Sequence, residues 1–322
     1  MKKAMISLLL VLLLLVGCTA KKGDNNTIKK IGVILWVDHP ALNDTLEGLK
    51  TGLKELGVED KVELIVKNAN DDASNANMIV DQFVNDKVDL IYAIATPAAQ
   101  AAMSATDGTD IPVVFNAVTD AESAGLVESN NKPGGNVTGV SDMVPVDKQL
   151  GLIKEILPNA KKVGVLYNTG EDNSLHQIKQ IEELIGKHDL ELLTQGVSSS
   201  ADIALATESL IANVDTLYII TDNTIASATS QVVGIANEAN KPVFMAEAGQ
   251  FEHGILASDS ISYLLLGESA AQQTHDILFE GKNPADIAVV IGGKTELLVS
   301  ESVAKNLGIE LPKSVLERAT LK

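Results

Sequence analysis

The sequence predicts an α/β protein of two doubly wound parallel-sheet lobes that are joined by a hinge. Two observations carry this prediction. From residue 31 onward, short apolar runs rich in Val and Ile alternate with longer amphipathic stretches, as expected for parallel strands that are buried on both faces and separated by helices. The same order of segments returns about 130 residues later, which predicts a second lobe of similar design.

The first lobe begins with four apolar runs that have the length of buried strands. These predicted strands are 31–37, 62–66, 90–95 and 112–115. Helix patterns lie between them, at 40–56, at 73–84 and in a stretch that begins at Pro97. Right-handed crossovers between such strands give a doubly wound layer.

The second lobe is predicted from three matches that occur in the same order as in the first. IGVILW from Ile31 matches VGVLYN from Val163, DLIYAIATPAAQAA from Asp89 matches DTLYIITDNTIASA from Asp215, and IPVVFNAV from Ile111 matches KPVFMAEA from Lys241. The three offsets are 132, 126 and 130 residues. Three ordered matches at nearly one offset indicate an internal repeat.

The join between the lobes falls in the Gly-rich segment 134–142. We expect residues 29–142 together with about 261–288 to form the first lobe. Residues 143–260 together with about 289–322 are expected to form the second. A later helix pattern runs from Tyr263 to Phe279 and is ended by Gly281 and Pro284. A chain that crosses between lobes more than once makes a hinge, which permits closure around a ligand.

Residues 1–17 have the pattern of a lipoprotein signal peptide. A basic start precedes an apolar run of 11 residues, 6–16, which is too short to span a bilayer. The run ends in LVGC, which resembles the bacterial lipobox, so that Cys18 would carry a lipid such as palmitate and begin the mature chain. Residues 18–28 would then be a flexible tether. The predicted location is the outer face of the cell membrane, at the cell surface or in a periplasm; a plain secretory signal with an incidental cysteine is the alternative.

Charge and cysteine content exclude several classes of protein. The chain has 43 acidic and 25 basic residues, a formal net charge of −18, and Arg318 is its single arginine. A surface this acidic repels phosphate backbones, so we expect no nucleic-acid partner. Because Cys18 is the only cysteine, an internal disulfide and paired-cysteine zinc or redox sites are excluded.

The sequence lacks the common signatures of catalysis. The five histidines are scattered without metal-binding spacing, and there is no nucleophile elbow, phosphate-binding loop or dinucleotide fingerprint. We therefore expect a protein that is not an enzyme and holds no metal or cofactor. Carboxylates far apart in sequence can still meet in the fold, so catalysis stays open as a minor alternative.

Several segments together indicate a family. The lipobox, the two lobes, VDHPAL at 37–42, LGESAA at 266–271 and NLGIELP at 306–312 resemble the substrate-binding lipoproteins of ABC importers, in the subfamily linked to tryptophan and tyrosine uptake. This resemblance implies the type I periplasmic-binding-protein (Venus-flytrap) fold. It further implies a monomer that closes on one amino acid, most simply Trp, Phe or Tyr, and delivers it to a membrane permease. A lipid-anchored sensor, or a binding protein for a branched-chain amino acid or a nucleoside, is the alternative.

Candidate ligand-binding residues follow the predicted strands, because ligands bind beyond the carboxyl ends of parallel strands. The first lobe offers Trp36, Asp38, Pro40, Leu42, Thr96, Pro97, Ala98, Asn116, Ala117, Val118, Thr119 and Asp120. The second lobe offers Tyr167, Asn168, Asn173, Ser174, Thr221, Asp222, Asn223 and Glu247.

Two of these positions suit the two charges of an amino acid. Thr96 before Pro97 has the pattern of a helix cap, and the free N–H groups of Ala98 and Ala99 would bind a carboxylate; ordinary capping is the alternative. Asp222, at the equivalent place in the repeat, would pair with the ammonium or cap its own helix. Glu247 is the second acidic candidate.

The side chain of the ligand is expected to meet Trp36, Leu42, Val118 and Tyr167. Trp36 can equally belong to the core, and His39 either contacts the ligand or only holds its turn. With one Trp and four Tyr in the chain, an amino acid is a better match than an oligosaccharide, whose site usually needs several aromatic platforms.

Overall fold

The computed structural model describes residues 28–322, and these form two parallel-sheet α/β layers. The predicted signal peptide, Cys18 and nearly all of the predicted tether lie outside the described residues. Within 28–322, no helix combines the length and the apolar character needed to cross a membrane.

The first sheet is fully parallel. It contains β1 (Lys29–Leu35), β2 (Val62–Asn68), β3 (Leu90–Ile94), β4 (Val113–Val118), β5 (Val137–Ser141) and β11 (Val290–Ile291). Their order across the sheet is β11-β5-β4-β3-β1-β2. The residues of β3, β4 and β5 are all buried, because helices cover both faces of the sheet, which explains their unbroken apolar sequence.

The second sheet has the same design, except that two strands at one edge run antiparallel to the rest. It contains β6 (Lys162–Asn168), β7 (Glu191–Val197), β8 (Thr216–Ile219), β9 (Val243–Met245), β10 (Ala257–Ser260), β12 (Glu296–Val299) and β13 (Thr320–Leu321). The order is β13-β12-β10-β9-β8-β6-β7, and β12 runs antiparallel to β10. The predicted fold class is therefore confirmed.

Helices connect most of the strands. They are α1 (Pro40–Glu55), α2 (Ala73–Asn85), α3 (Thr96–Thr106), α4 (Val146–Ile156), α5 (Asp172–Leu184), α6 (Ile203–Ile211), α7 (Asn223–Ser227), α8 (Thr229–Glu238), α9 (Tyr263–Leu278), α10 (Glu301–Asn306) and α11 (Lys313–Leu316). Local sequence sets several of their starts. Asp72 caps α2 by accepting from the Asn75 N–H, and Ser262 does the same for α9 through the Leu265 N–H.

The chain passes from one sheet to the other three times. It leaves the first sheet after β5, returns after β10 as α9, and leaves again after β11. Because β11 pairs with β5, the last crossing lies beyond Ile291, whereas the predicted boundary near 288 assigned this strand to the second lobe. The lobe boundaries as a whole stay a prediction.

The closest helix packing joins α9 to α1. A Cβ atom added at Gly48 would lie 2.1 Å from the Leu264 carbonyl oxygen, and one at Gly267 would lie 2.2 Å from the Thr45 carbonyl oxygen. Only glycine permits backbones this close. This close crossing holds α9 against the first lobe. It also holds the segment before α9, through which the chain returns from the second sheet.

Candidate functional site

A small cavity lies where the carboxyl ends of the two sets of strands face each other. Its free volume is only about 10 Å³, so the side chains that line it lie almost against one another. It is lined by His39, Leu42, Ala117, Thr119, Asp142, Asn173, Thr221, Asp222, Asn223, Ala226, Glu247 and Tyr263.

The predicted site residues fall into three groups. Those that line the cavity are Leu42, Ala117, Thr119, Asn173, Thr221, Asp222, Asn223 and Glu247. Those that line a wider groove beside Asp71 and Glu171 are Trp36, Pro97 and Asn168. Those that line neither space are Asp38, Pro40, Thr96, Ala98, Asn116, Val118, Asp120, Tyr167 and Ser174.

Three cavity residues were not among the predicted contacts. Asp142 directly follows β5, Tyr263 is the first residue of α9, and Ala226 lies in α7. Asp142 is the last residue of the Gly-rich segment 134–142, which was predicted as the join between the lobes and not as a strand. Tyr263 carried no signal in the sequence, because its position depends on the crossing of α9 over α1.

His39 lines the cavity as a neutral side chain. It occupies the cap position of α1 with extended backbone and makes no side-chain capping bond. Burial lowers its pKa to about 4, against the raising effect of the Asp38 charge. The lining residues therefore include no cation at neutral pH.

The start of α3 differs from the predicted anion site. Thr96, the predicted cap, is instead the first helical residue, and Ala95 takes the cap position with a φ of 82°. The Ala95 N–H donates to the Asn116 carbonyl (2.9 Å), which holds this strained bend, and the Ala99 N–H donates to the Ala95 carbonyl (3.0 Å). Ala99 is thus not a free donor, and carboxylate binding at this helix start stays a prediction.

Trp36 and Asn116 make hydrogen bonds within the fold. The Trp36 indole N–H donates to Asp71 Oδ1 (2.8 Å). The Asn116 amide donates to the Tyr92 hydroxyl (2.6 Å), while its Oδ1 accepts from the Ala117 N–H (2.7 Å). The second bond holds Ala117 in its left-handed conformation, φ 54°, where the chain turns towards the cavity.

Asp222 caps α7, the second of the two predicted roles. Its Oδ1 accepts from the Ile225 N–H (2.8 Å), and its Oδ2 accepts from the Asn168 N–H (2.5 Å) and the Ser174 hydroxyl (2.7 Å). Both oxygens are therefore already bonded to the protein. The predicted ammonium contact would have to add to these bonds.

Glu171 shares the start of α7 with Asp222. Its carboxylate accepts from the backbone N–H groups of Asn223 (3.2 Å) and Thr224 (3.1 Å) and from the Asn223 amide (2.5 Å). Burial raises the pKa of both carboxyls, and the nearby charge of Glu171 contributes to raising that of Asp222 to about 8. The pair thus favours holding a proton near neutral pH.

We expect the stability of the ligand-free protein to fall as the pH rises from about 5 to about 8. The unfolded carboxyls release their protons near pH 4, whereas Asp222 and Glu247 keep theirs to about 8 and about 7 in the fold. Folding therefore takes up protons in this window, and each contributes a slope of up to about 1.4 kcal/mol per pH unit. Urea unfolding at several pH values measures the slope. Glu171→Gln is expected to flatten it, and a stability that rises across the window would contradict the assignment.

The two lobes touch around the cavity. The hydroxyls of Thr119 and Thr221 lie 3.2 Å apart, and the Thr224 hydroxyl lies 2.9 Å from Asp71 Oδ1. The Gln100 amide donates to Asp172 Oδ2 (2.8 Å). These contacts between residues of different sheets show a closed cleft.

Two α/β lobes that face one cavity, joined by three crossing segments, define a two-lobed binding protein that closes on a small molecule. Residues 30–322 match the family described as ABC transporter substrate binding protein. A tyrosine-binding protein of Clostridioides difficile (strain R20291) is 40% identical over 292 residues, which cover 90% of this chain and 84% of that protein. The chain therefore belongs to the ABC transporter substrate binding protein family.

Two solved structures show the type I periplasmic-binding-protein fold at similar identity. The ABC domain from Streptococcus pneumoniae in complex with L-Trp is 37% identical, with a TM-score of 0.88. The ligand-free, open structure of a substrate binding protein with adhesive properties from Clostridium difficile is 39% identical, with a TM-score of 0.68. Each alignment covers 92% of this chain and 99% of the other.

Proposed function

We propose that the protein binds an aromatic amino acid, Trp, Tyr or Phe, in the cavity between its lobes and delivers it to the permease of an ABC importer. The observation that carries this proposal is the closed cavity, whose lining combines unpaired polar atoms with apolar surface from Leu42 and Tyr263. The relative that binds tyrosine and the L-Trp complex support the aromatic class.

The closed state is supported by the two structural relatives. Their identities to this chain are nearly equal, 37% and 39%, but the TM-score is 0.88 for the L-Trp complex and 0.68 for the open form. The difference therefore follows the arrangement of the lobes rather than sequence distance. A ligand that contacts both lobes stabilises this state by its differential affinity for the closed cleft.

Thermal unfolding with the twenty amino acids tests the ligand class, with sugars, nucleosides and peptides as controls. A ligand at about 100 times its Kd adds roughly 2.7 kcal/mol of stability and raises the Tm. We expect the shift with Trp, Tyr or Phe only. A shift with a sugar or nucleoside alone would contradict the aromatic amino acid, and isothermal titration then gives the affinity.

Lipid attachment at Cys18 is proposed to hold the mature protein on the outer face of the membrane. The lipobox-like LVGC at 15–18 supports this, since Cys18 is the only cysteine. We expect Cys18→Ser to move the protein from the membrane fraction to the soluble fraction, as detected by immunoblotting. A variant that stays membrane-bound would contradict the anchor.

We further propose that the protein acts as a monomer and leaves its ligand chemically unchanged. Support for binding without catalysis comes from the family, whose members bind substrates for ABC transporters. Light scattering measures the mass, and mass spectrometry of ligand recovered from the protein detects any conversion.

A further inference from the structure

Two buried carboxyls of the cavity each have one oxygen without a partner. Asp142 Oδ2 accepts from the Tyr263 hydroxyl (2.7 Å), and Glu247 Oε2 accepts from the Gly249 N–H (2.8 Å). The other oxygens, Asp142 Oδ1 and Glu247 Oε1, are buried and make no hydrogen bond. The exposed fractions of the two residues are only 4% and 1%, so both carboxyls are almost fully removed from bulk solvent.

Among residues 28–322, no cation compensates these two carboxyls. The groups around them are Asp44 on α1, Tyr263 on α9, the neutral His39 and the nearby Asp222 and Asn173. Burial raises the pKa of both carboxyls, and the charges of Asp142 and Asp44 help to raise that of Glu247 to about 7. An unpaired buried carboxylate is costly, and this cost is removed when a cation binds beside it.

We infer that Asp142 Oδ1 and Glu247 Oε1 receive the primary ammonium group of the ligand, and that this group is the main determinant of recognition. The inference rests on the proposed function and deepens it. An ammonium supplies three N–H donors and one positive charge, which are what the two free oxygens lack. Asn173 Oδ1 is a further unpaired acceptor in the same cavity.

The carboxylate of the ligand has weaker partners. The lining residues contain no Lys or Arg, and the remaining donors are neutral: the unpaired ring N–H of His39, hydroxyls such as Thr119 and Thr221, an amide and backbone N–H groups. Hydrogen bonds to neutral donors contribute less than charge-assisted pairs. Removal of the amino group is therefore expected to cost more affinity than removal of the carboxylate.

Calorimetric titration of the mature protein with L-Trp, tryptamine and indole-3-propionate tests this order. We expect the affinity for indole-3-propionate to fall by about 100-fold or more relative to L-Trp, because two buried oxygens stay unpaired. The affinity for tryptamine is expected to be lower than that for L-Trp by roughly 10-fold or less. Equal affinity for L-Trp and indole-3-propionate, or a larger loss for tryptamine, would overturn the inference. L-Tyr with its matching analogues replaces the series if L-Trp does not bind, and if no aromatic amino acid binds, the proposed function fails and this inference with it.

Glu247→Gln separates a direct contact from a structural role. The change is expected to lower the affinity for L-Trp and for tryptamine by about 100-fold, because these two amines lose a charge partner. The affinity for indole-3-propionate, which has no amine, is expected to stay within a factor of about 3 of that of the parent protein. Asp259→Asn is the matched control, since Asp259 is also buried, at 5% exposed, but does not line the cavity. An equal loss of affinity for all three ligands would indicate a structural role and overturn the inference.

Binding should also release a proton. Glu247 is protonated below about pH 7, and a bound ammonium favours its charged form. The affinity for L-Trp is therefore expected to fall as the pH is lowered from about 7 to about 5, by up to 10-fold per pH unit for one proton. Titration in buffers of different ionisation enthalpy counts the proton. The Glu247→Gln variant is expected to lose this release, and unchanged release from the variant would contradict the role of Glu247.

Discussion

Gly267→Ala is expected to lower the free energy of unfolding by about 3 kcal/mol. The new Cβ atom would lie 2.2 Å from the Thr45 carbonyl oxygen and 2.7 Å from the Gly48 Cα. Both are backbone atoms, so no side chain can rotate away and α9 must move from α1. Forced overpacking of this kind costs roughly 1–3 kcal/mol or more. Urea unfolding gives the difference in free energy.

Gly234→Ala is the matched control for this change. Gly234 lies inside α8, and a Cβ atom added there meets nothing within 4 Å. Because alanine is the better helix former, this variant is expected to gain roughly 0.5–1 kcal/mol. If Gly267→Ala were as stable as the parent, the close helix crossing would be contradicted.

The two sheets were largely predictable because their signals are local. Buried strands such as β1 and β3 are continuous apolar runs, and the internal repeat gave the second sheet from the first. The strand β11 was not predictable, since it is two exposed residues long and is defined only by pairing with β5. A short edge strand has too little sequence to show a period.

The cavity was only partly predictable because it depends on what the fold does to each polar group. Thr96 before Pro97 has a good capping pattern, but the positive φ of Ala95 starts the helix one residue earlier. Asp142 and Glu247 gain their unpaired oxygens from burial and from the position of Tyr263, none of which is written in local sequence. Asp222 lines the cavity as predicted, but its oxygens already accept hydrogen bonds from the protein, and this contact set could not be derived from local sequence.

Asp222→Ala is expected to lower the free energy of unfolding of the ligand-free protein by about 3 kcal/mol. The change removes the cap of α7, which is worth roughly 0.5–2 kcal/mol. It also leaves the buried N–H of Asn168 and the Ser174 hydroxyl without the acceptor they have now, at a cost of roughly 1–3 kcal/mol for an unsatisfied group. Asp72→Ala, which removes the exposed cap of α2, is the control and is expected to cost only about 1 kcal/mol.

The same variant decides between the two roles of Asp222. If the carboxylate is mainly a cap, the ligand-free protein loses stability and Asp222→Asn recovers part of it, because an amide oxygen still accepts from the Ile225 N–H. If it is mainly the ammonium partner, the ligand-free stability stays unchanged while the affinity falls by about 2–5 kcal/mol. Since both oxygens already accept hydrogen bonds from the protein, we expect the first result. Unfolding without ligand and titration with L-Trp, made on the same preparation, separate the two.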